Sequence, residues 1–187
     1  NEQFLVEDTI KSYSANIFFR PNAIDYDSTT QTEWIADEFS GLVEINGSRT
    51  NSYSANGPAS EQVFKIESKE GKVYTVPGGY ENAYNNLYLP PEINILEEGN
   101  WKTITGANYP PLGPTFDLLN ITIDPNDKDH VFIGTWGTGL LEFRNNLLVN
   151  KFDSSNSKIP SRQAYTWYGI GGTNYDENGN LWISNTY

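Results

Sequence analysis

The 187-residue sequence has no cysteine, no methionine and a single histidine, His130. Without cysteine there are no disulfides and no thiolate chemistry. One histidine cannot by itself complete a metal site or a catalytic triad. The missing methionine leads to the expectation that Asn1 is not a translation start and that the chain is a processed, trimmed or excised form. Basic residues are scarce, 12 against 24 acidic, for a net charge of −12. That sign repels phosphate backbones and anionic headgroups, so no nucleic-acid partner and no anionic membrane surface is expected. The charge is expected to serve solubility. No apolar run approaches the ~18 residues of a membrane-spanning helix. Helical periodicity is weak, and no helix longer than two turns is expected.

Aromatic residues are plentiful at 14%, and the 16 glycines and 10 prolines are spread along the chain as turn punctuation. Both features favour strands joined by short turns. Internal repetition is visible. Trp34-Ile35-Ala36 through Gly41-Leu42-Val43-Glu44-Ile45 aligns without a gap on Phe132-Ile133-Gly134 through Gly139-Leu140-Leu141-Glu142-Phe143. Further copies start at Val73-Tyr74-Thr75-Val76 and Leu181-Trp182-Ile183, and Phe4-Leu5-Val6-Glu7-Asp8 reads as a truncated one. The anchor aromatics stand at 34, 74, 132 and 182, a spacing of 40 to 58 residues. Acidic, glycine-containing turns precede the anchors, as in Asp176-Glu177-Asn178-Gly179-Asn180 and Glu70-Gly71.

Within one unit, Ile121-Thr122-Ile123, the strand from Val131 to Thr135, Leu140-Leu141-Glu142-Phe143 and an edge strand over 147–152 make four strands in about 50 residues. This is the size of a propeller blade. The expected fold is all-β, part of a β-propeller made of four-stranded antiparallel blades. Partial blades are expected at about 1–25 and 171–187, and blades at about 26–65, 66–120 and 121–170. Residues 77–99 and 106–114, rich in Pro, Gly and Asn, read as irregular loops. A closed propeller needs at least four blades, so the remaining blades of a parent propeller, or a partner, are expected to cover the open edges.

Asp176-Glu177-Asn178-Gly179-Asn180-Leu181-Trp182-Ile183 resembles the repeat of the two-component regulator propeller family, as does Asn156-Ser157 with Pro160. The longer stretch from Asp124 to Phe143 is similar to the propellers of PorZ-like surface proteins associated with the type IX secretion system of Bacteroidetes. The resemblance implies a non-enzymatic, extracytoplasmic module, in the periplasm or on the outer surface of a Gram-negative cell, that binds protein or glycan and glycolipid partners. It also implies an alternative, the periplasmic ligand-sensing propeller of a hybrid histidine kinase. A carbohydrate-active enzyme is the third reading.

No residue presents itself as catalytic. Glycosidases use two carboxylates, but Glu44 and Glu142 recur at equivalent positions, which points to a role in the blade. His130 reads as a surface or turn residue. Asp176, Asn178 and Asn180 lack the spacing of a calcium loop and read as a hairpin turn; Asp124, Asp127 and Asp129 read as a solvated turn. Gly169-Ile170-Gly171-Gly172 lacks the Lys-Ser/Thr of a phosphate loop and reads as a strand passing close to the propeller axis. No metal and no cofactor is expected. The recurring Trp34, Tyr74, Phe132 and Trp182 are expected to pack between blades. The aromatics that do not recur, Tyr80, Tyr84, Tyr88, Trp101, Tyr109 and Trp136, lie in or beside the irregular loops and are the candidate ligand-binding residues.

Overall fold

Runs of β-branched and aromatic residues, each closed by an Asp, Asn or Gly turn, set the architecture. The computed structural model describes residues 20–53, 55–162 and 166–186. Among these, every regular element is a strand except one 3-10 turn, Pro110–Leu112. The strands are β1 (Pro21–Asp27), β2 (Thr32–Asp37), β3 (Gly41–Asn46), β4 (Arg49–Tyr53), β5 (Lys65–Lys69), β6 (Lys72–Val76), β7 (Glu92–Glu97), β8 (Asn100–Thr105), β9 (Leu118–Asp124), β10 (Asp127–Gly137), β11 (Leu140–Arg144), β12 (Leu147–Phe152), β13 (Tyr168–Tyr175) and β14 (Leu181–Thr186). β1–β4, β5–β8 and β9–β12 each form an antiparallel sheet in sequence order, and β13 and β14 form a hairpin. The tail of β10, Trp136 and Gly137, also pairs with Gly169 and Tyr168 of β13, which joins the last two sheets.

The acidic turns hold themselves. Asp27 Oδ1 accepts the Thr29 N–H at 2.8 Å, Asp124 Oδ1 the Asn126 N–H at 2.8 Å, and Asp37 Oδ1 the Phe39 and Ser40 N–H groups. These are Asx turns, the local bond that makes Asp favourable there. Asp176 goes furthest. Its carboxylate accepts the backbone N–H groups of Asn178 and Asn180, the Asn180 amide and the Trp182 indole. Led by the Asn180 and Trp182 bonds, these contacts hold its carboxyl at about 2. A carboxylate occupied in this way is a turn device.

One expected loop is partly strand. Residues 77–99 contain β7, because Ile93, Asn94 and Ile95 are buried and the turn at Glu98 and Gly99 pairs them with β8. Pro90 and Pro91, which lack a ladder donor, stop just short of the strand.

The first sheet falls in Asn1–Asn56 and the others in Gly57–Tyr187, two compact units. In the first, Ile35 and Val43 are buried opposite each other, and Glu44 accepts bonds from Asn51 (3.0 Å) and the Tyr53 hydroxyl (2.6 Å) on β4. In the second, β9 packs against both β5 and β13, so the first strands of three successive sheets lie side by side. Tyr74, Val76, Ile93, Ile95 and Ile104 of the β5–β8 sheet meet Ile121, Ile123, Val131, Ile133, Leu141 and Phe143 of the next. Each such fully buried side chain contributes about 1.5–3 kcal/mol. The opposite face of β9–β12 carries Phe132 and Leu140 against Ile170, with Tyr175 and Leu181 at the margin. Asn120 ties the same two sheets, donating to Ile170 O and accepting from Thr173 Oγ1, both at 2.8 Å.

The anchor aromatics divide. Tyr74 and Phe132 are buried between sheets as expected. Trp34 is half-buried, and Trp182, on β14, is 66% exposed. The Asp176 bond to the indole N–H ties the exposed ring to its own turn.

His130 is a second correction. It is buried, with Nδ1 2.8 Å from Asp124 Oδ2 and Nε2 2.9 Å from Glu142 Oε1. Carboxylates only accept, so the two bonds form together when both ring nitrogens carry a proton. Glu142 also accepts from Asn150 of β12 at 2.7 Å, the counterpart of the bond from Asn51 to Glu44. The recurring glutamate thus fastens the last strand of its sheet. Burial opposes ionisation of Asp124 and Glu142. The Asn126 N–H and His130 outweigh it at Asp124, and Asn150 and His130 at Glu142, holding both below their usual values of 3.8 and 4.5.

A folded-state value below the unfolded one gives stability that is present above the ordinary carboxylate range and lost as pH falls through it. The urea midpoint is therefore expected to fall below about pH 4.5. Glu142→Gln is expected to flatten that fall. If urea melts of Glu142→Gln keep the wild-type acid slope, Glu142 contributes nothing to it.

Candidate functional site

The loops after β6 and β8 meet above the end of β10. Gly78 permits the start of this arrangement, since a Cβ there would lie 2.2 Å from the Leu118 carbonyl oxygen. Beyond it the segment 80–91 is organised by Asp117, a fully buried acid at the start of β9. Asp117 Oδ1 accepts the Leu89 N–H at 2.8 Å, and Oδ2 accepts the Tyr88 N–H at 3.1 Å and the Asn86 amide at 2.9 Å. Its backbone takes part as well, donating to Leu89 O and accepting from the Trp136 N–H. Asn86 is the second node. It donates to the Trp136 carbonyl and accepts the Trp167 indole N–H at 2.9 Å. The Trp136 indole donates to Tyr84 O at 2.8 Å.

These bonds hold three non-glycine residues in the left-handed region, Tyr84 (φ 59°), Tyr88 (φ 56°) and Asp117 (φ 47°). Such conformations are costly for side chains with a Cβ and persist where the surroundings impose them. The consequence is presentation: Tyr84 is 65% and Tyr88 71% exposed, with Leu87 exposed between them. Beneath them the rings stack in a continuous series. Tyr80 lies 5.0 Å from Tyr84, 5.2 Å from Trp136 and 5.9 Å from Phe64, and Trp136 meets Trp167 edge-on at 5.1 Å. Tyr88 packs on Phe116 at 5.3 Å. These separations are those of favourable aromatic pairs.

Of the six aromatic candidates, the structure brings Tyr80, Tyr84 and Trp136 together, while Tyr88 packs on Phe116. Trp136 is only 4% exposed, so its ring is the floor of the cluster and not a contact surface. Trp101 is half-buried on β8 opposite Leu96 of β7. Tyr109 packs on the core, its hydroxyl accepting the Leu148 N–H at 3.1 Å, a link from the β8–β9 loop to β12. Phe64, Asn86, Phe116, Asp117 and Trp167 complete the cluster and were not among the candidates. Asp117 was the findable one, a lone acid in the apolar run Phe116-Asp117-Leu118-Leu119. Gly169 has a local reason: a Cβ there would lie 2.4 Å from the Trp167 ring.

No group of three or more His, Asp or Glu side chains with metal-binding geometry occurs among the described residues. Of the acidic turn at 124–129, Asp124 is bonded to His130, Asp127 to the Asp129 N–H and Asp129 to Lys72 Nζ. No helix among the described residues is long and apolar enough to cross a membrane.

No protein-family model matches the sequence, and no curated protein matches it. Solved structures do. The extracellular domain of a hybrid two-component system from B. thetaiotaomicron matches over 92% of this chain and 22% of its own, at 18% identity and a TM-score of 0.44. PorZ, an essential bacterial surface component of the type IX secretion system of Porphyromonas gingivalis, matches over 87% of this chain at 20% identity and a TM-score of 0.67. The chain spans 22% of the length of PorZ, and it shares the fold of that part.

Proposed function

We propose that this chain is part of a β-propeller that works as a non-catalytic binding module outside the cytoplasm, as a surface component of a type IX secretion apparatus. Its partner is a protein or a glycolipid, gripped by the loop over 80–91. The propeller reading is supported by successive sheets of the same strand order, by the side-by-side placement of β5, β9 and β13, and by the likeness to part of PorZ. The surface role is carried over from that likeness. No catalytic residue, metal or cofactor is assigned.

The observation that carries the binding role is the exposed pair Tyr84 and Tyr88, each held at positive φ by a buried polar network. Flat faces with neighbouring amides such as Asn82 and Asn85 suit sugar rings and peptide side chains alike. The test is the double variant Tyr84→Ala/Tyr88→Ala, titrated calorimetrically against purified outer-membrane lipopolysaccharide, its lipid-free polysaccharide, and outer-membrane proteins of the secretion apparatus. Affinity for one of these is expected to fall at least ~10-fold, as two aromatic contacts of about 1 kcal/mol each imply. Equal affinity of the double variant and the wild type for all of them would sink the assignment.

A further inference from the structure

The loop over 80–91 is carried by β6 and β7, and these strands hold each other over a short length. Their ladder has three pairs, Val73 with Leu96, Tyr74 with Ile95 and Thr75 with Asn94. Beyond Thr75 and Asn94 the strands part, β6 ending at Val76 and β7 starting at Glu92. β10 and β11, at the same stage of the repeat, pair over five residues and are joined by Thr138 and Gly139 alone. A long loop on so short a ladder needs its two feet held by something else.

The segment 59–64, just ahead of β5, reaches both feet. At the exit of the loop, Asn94 Oδ1 accepts the Ala59 N–H at 3.1 Å, and Glu92 Oε1 accepts the Ser60 hydroxyl at 2.8 Å. The Asn94 amide donates to the same Glu92 oxygen at 2.7 Å, and Asn94 Oδ1 also accepts the Thr103 hydroxyl at 2.7 Å. Asn94 is fully buried, so its bonds are made away from water, where they are stronger. At the entry, the Phe64 N–H donates to Val76 O at 2.9 Å, and the Phe64 ring meets Tyr80 edge-on at 5.9 Å. The approach is close: a Cβ on Gly79 would lie 2.9 Å from the Phe64 ring. The repeat marks the arrangement as local. Thr75 and Asn94 stand where Ile133 and Leu141 stand, paired across the same two strands. Ile133 and Leu141 are apolar and belong to the core between sheets, whereas Asn94 offers its acceptor to the chain's own segment.

We propose that residues 59–64 are a clasp across the two feet of the 80–91 loop, replacing the ladder that β6 and β7 lack there. Ser60, Phe64 and Asn94 are its positioning residues, and they set how Tyr84 and Tyr88 are presented. Asp117 holds the middle of the loop through Asn86, Tyr88 and Leu89, and the clasp holds the ends. Its bearing on binding rests on the role proposed above for that loop, whereas the clasp itself is tested without a ligand.

The experiment measures backbone amide exchange on the full chain at the Glu81, Tyr84, Tyr88 and Leu89 N–H groups, each bonded within the loop or to Asp117. Ser60→Ala removes one half-buried hydroxyl and its bond to a carboxylate. In this variant the four amides are expected to exchange at least ~10-fold faster than in the wild type. Phe64→Ala is expected to do the same, and the two changes together to exceed either. Ser60→Thr keeps the hydroxyl and is expected to bring exchange back to within ~2-fold of the wild type. Unchanged exchange in β9–β12 reports that the rest of each variant is folded. Wild-type exchange in the loop of the double variant would overturn the proposal. So would acceleration that runs equally through β9–β12, or a Ser60→Thr variant as fast as Ser60→Ala. If Tyr84→Ala/Tyr88→Ala binds every probe as the wild type does while Ser60→Ala frees the loop, the clasp stands and the binding role fails.

Discussion

Asp117→Ala is expected to destabilise the protein by about 3 kcal/mol and to open the loop over 80–91 to proteases. The carboxylate accepts three bonds in a site with no exposure: from the Leu89 and Tyr88 N–H groups and the Asn86 amide. Alanine leaves these donors without a partner, and a buried orphan donor costs about 1–3 kcal/mol. The loop can recover part of that by moving toward water, which is why the expected loss is less than three full penalties. Asp117→Asn keeps the shape but turns an NH2 group toward donors, so it is expected to fall between alanine and wild type. Urea unfolding gives the stability and limited chymotrypsin digestion the loop. The left-handed Tyr84 and Tyr88 depend on the same bonds, so chymotryptic cleavage after them reports the loss directly. Full stability of Asp117→Ala with an uncut loop would show that the aromatic cluster alone holds the segment.

Lys72→Ala is the second large effect, about 3 kcal/mol. The side chain is only 1% exposed, and its ammonium lies 2.5 Å from Asp129 Oδ1, 3.3 Å from Asn146 Oδ1 and 3.4 Å from Glu97. It also lies 5.2 Å over the Tyr74 ring. Lys72 begins β6 and Asp129 belongs to β10, so the pair pins one sheet to the next. Burial works against the charge, but the Asp129 bond outweighs it and raises the Lys72 pKa above its ordinary 10.5. A raised folded-state value gives stability that is complete below the unfolded pKa and lost only as pH climbs through the folded one. The Lys72→Ala deficit is therefore expected to be the same at pH 7 and pH 9. A double-mutant cycle with Asp129→Asn isolates the pair. A coupling near zero would assign the cost to lost packing of the lysine stem.

The strand pattern was legible in the sequence wherever local chemistry sets it. The alternation of Ile121-Thr122-Ile123, the acidic turns and the recurring Gly-Leu-apolar-Glu-apolar run each act over fewer than ten residues. The failures share a different cause. Ile93-Asn94-Ile95 was hidden because the flanking Pro90, Pro91 and Gly99 signal a loop, and only the opposing sheet makes the segment a strand. His130 looked solvated because its turn is acidic. Its burial depends on Glu142, a strand away, folding back over the ring. Among the candidate aromatics, sequence position separated neither loop from strand, since Trp101 lies on β8 and Trp136 on β10, nor floor from surface. Trp136 and Tyr84 look alike in the chain, and only the contacts of Trp136 with Asn86, Asp117 and Trp167, each distant from it in sequence, decide which is covered.

The connectivity of the sheets also sets the order of folding. Apart from the short contact of β10 with β13, every strand pairs with its neighbour in sequence. Most hairpins close a short loop, the long connection from β6 to β7 being the exception, so the pairings within a sheet are more local than the contacts between sheets. The Lys72–Asp129 pair and the Asn120 bonds to β13 span 57 and 50 or more residues, and they close only once two sheets exist. Interactions made after the transition state govern unfolding more than folding. The polar pins between sheets therefore set how long the assembled array lasts, while the hairpins set how quickly it is reached.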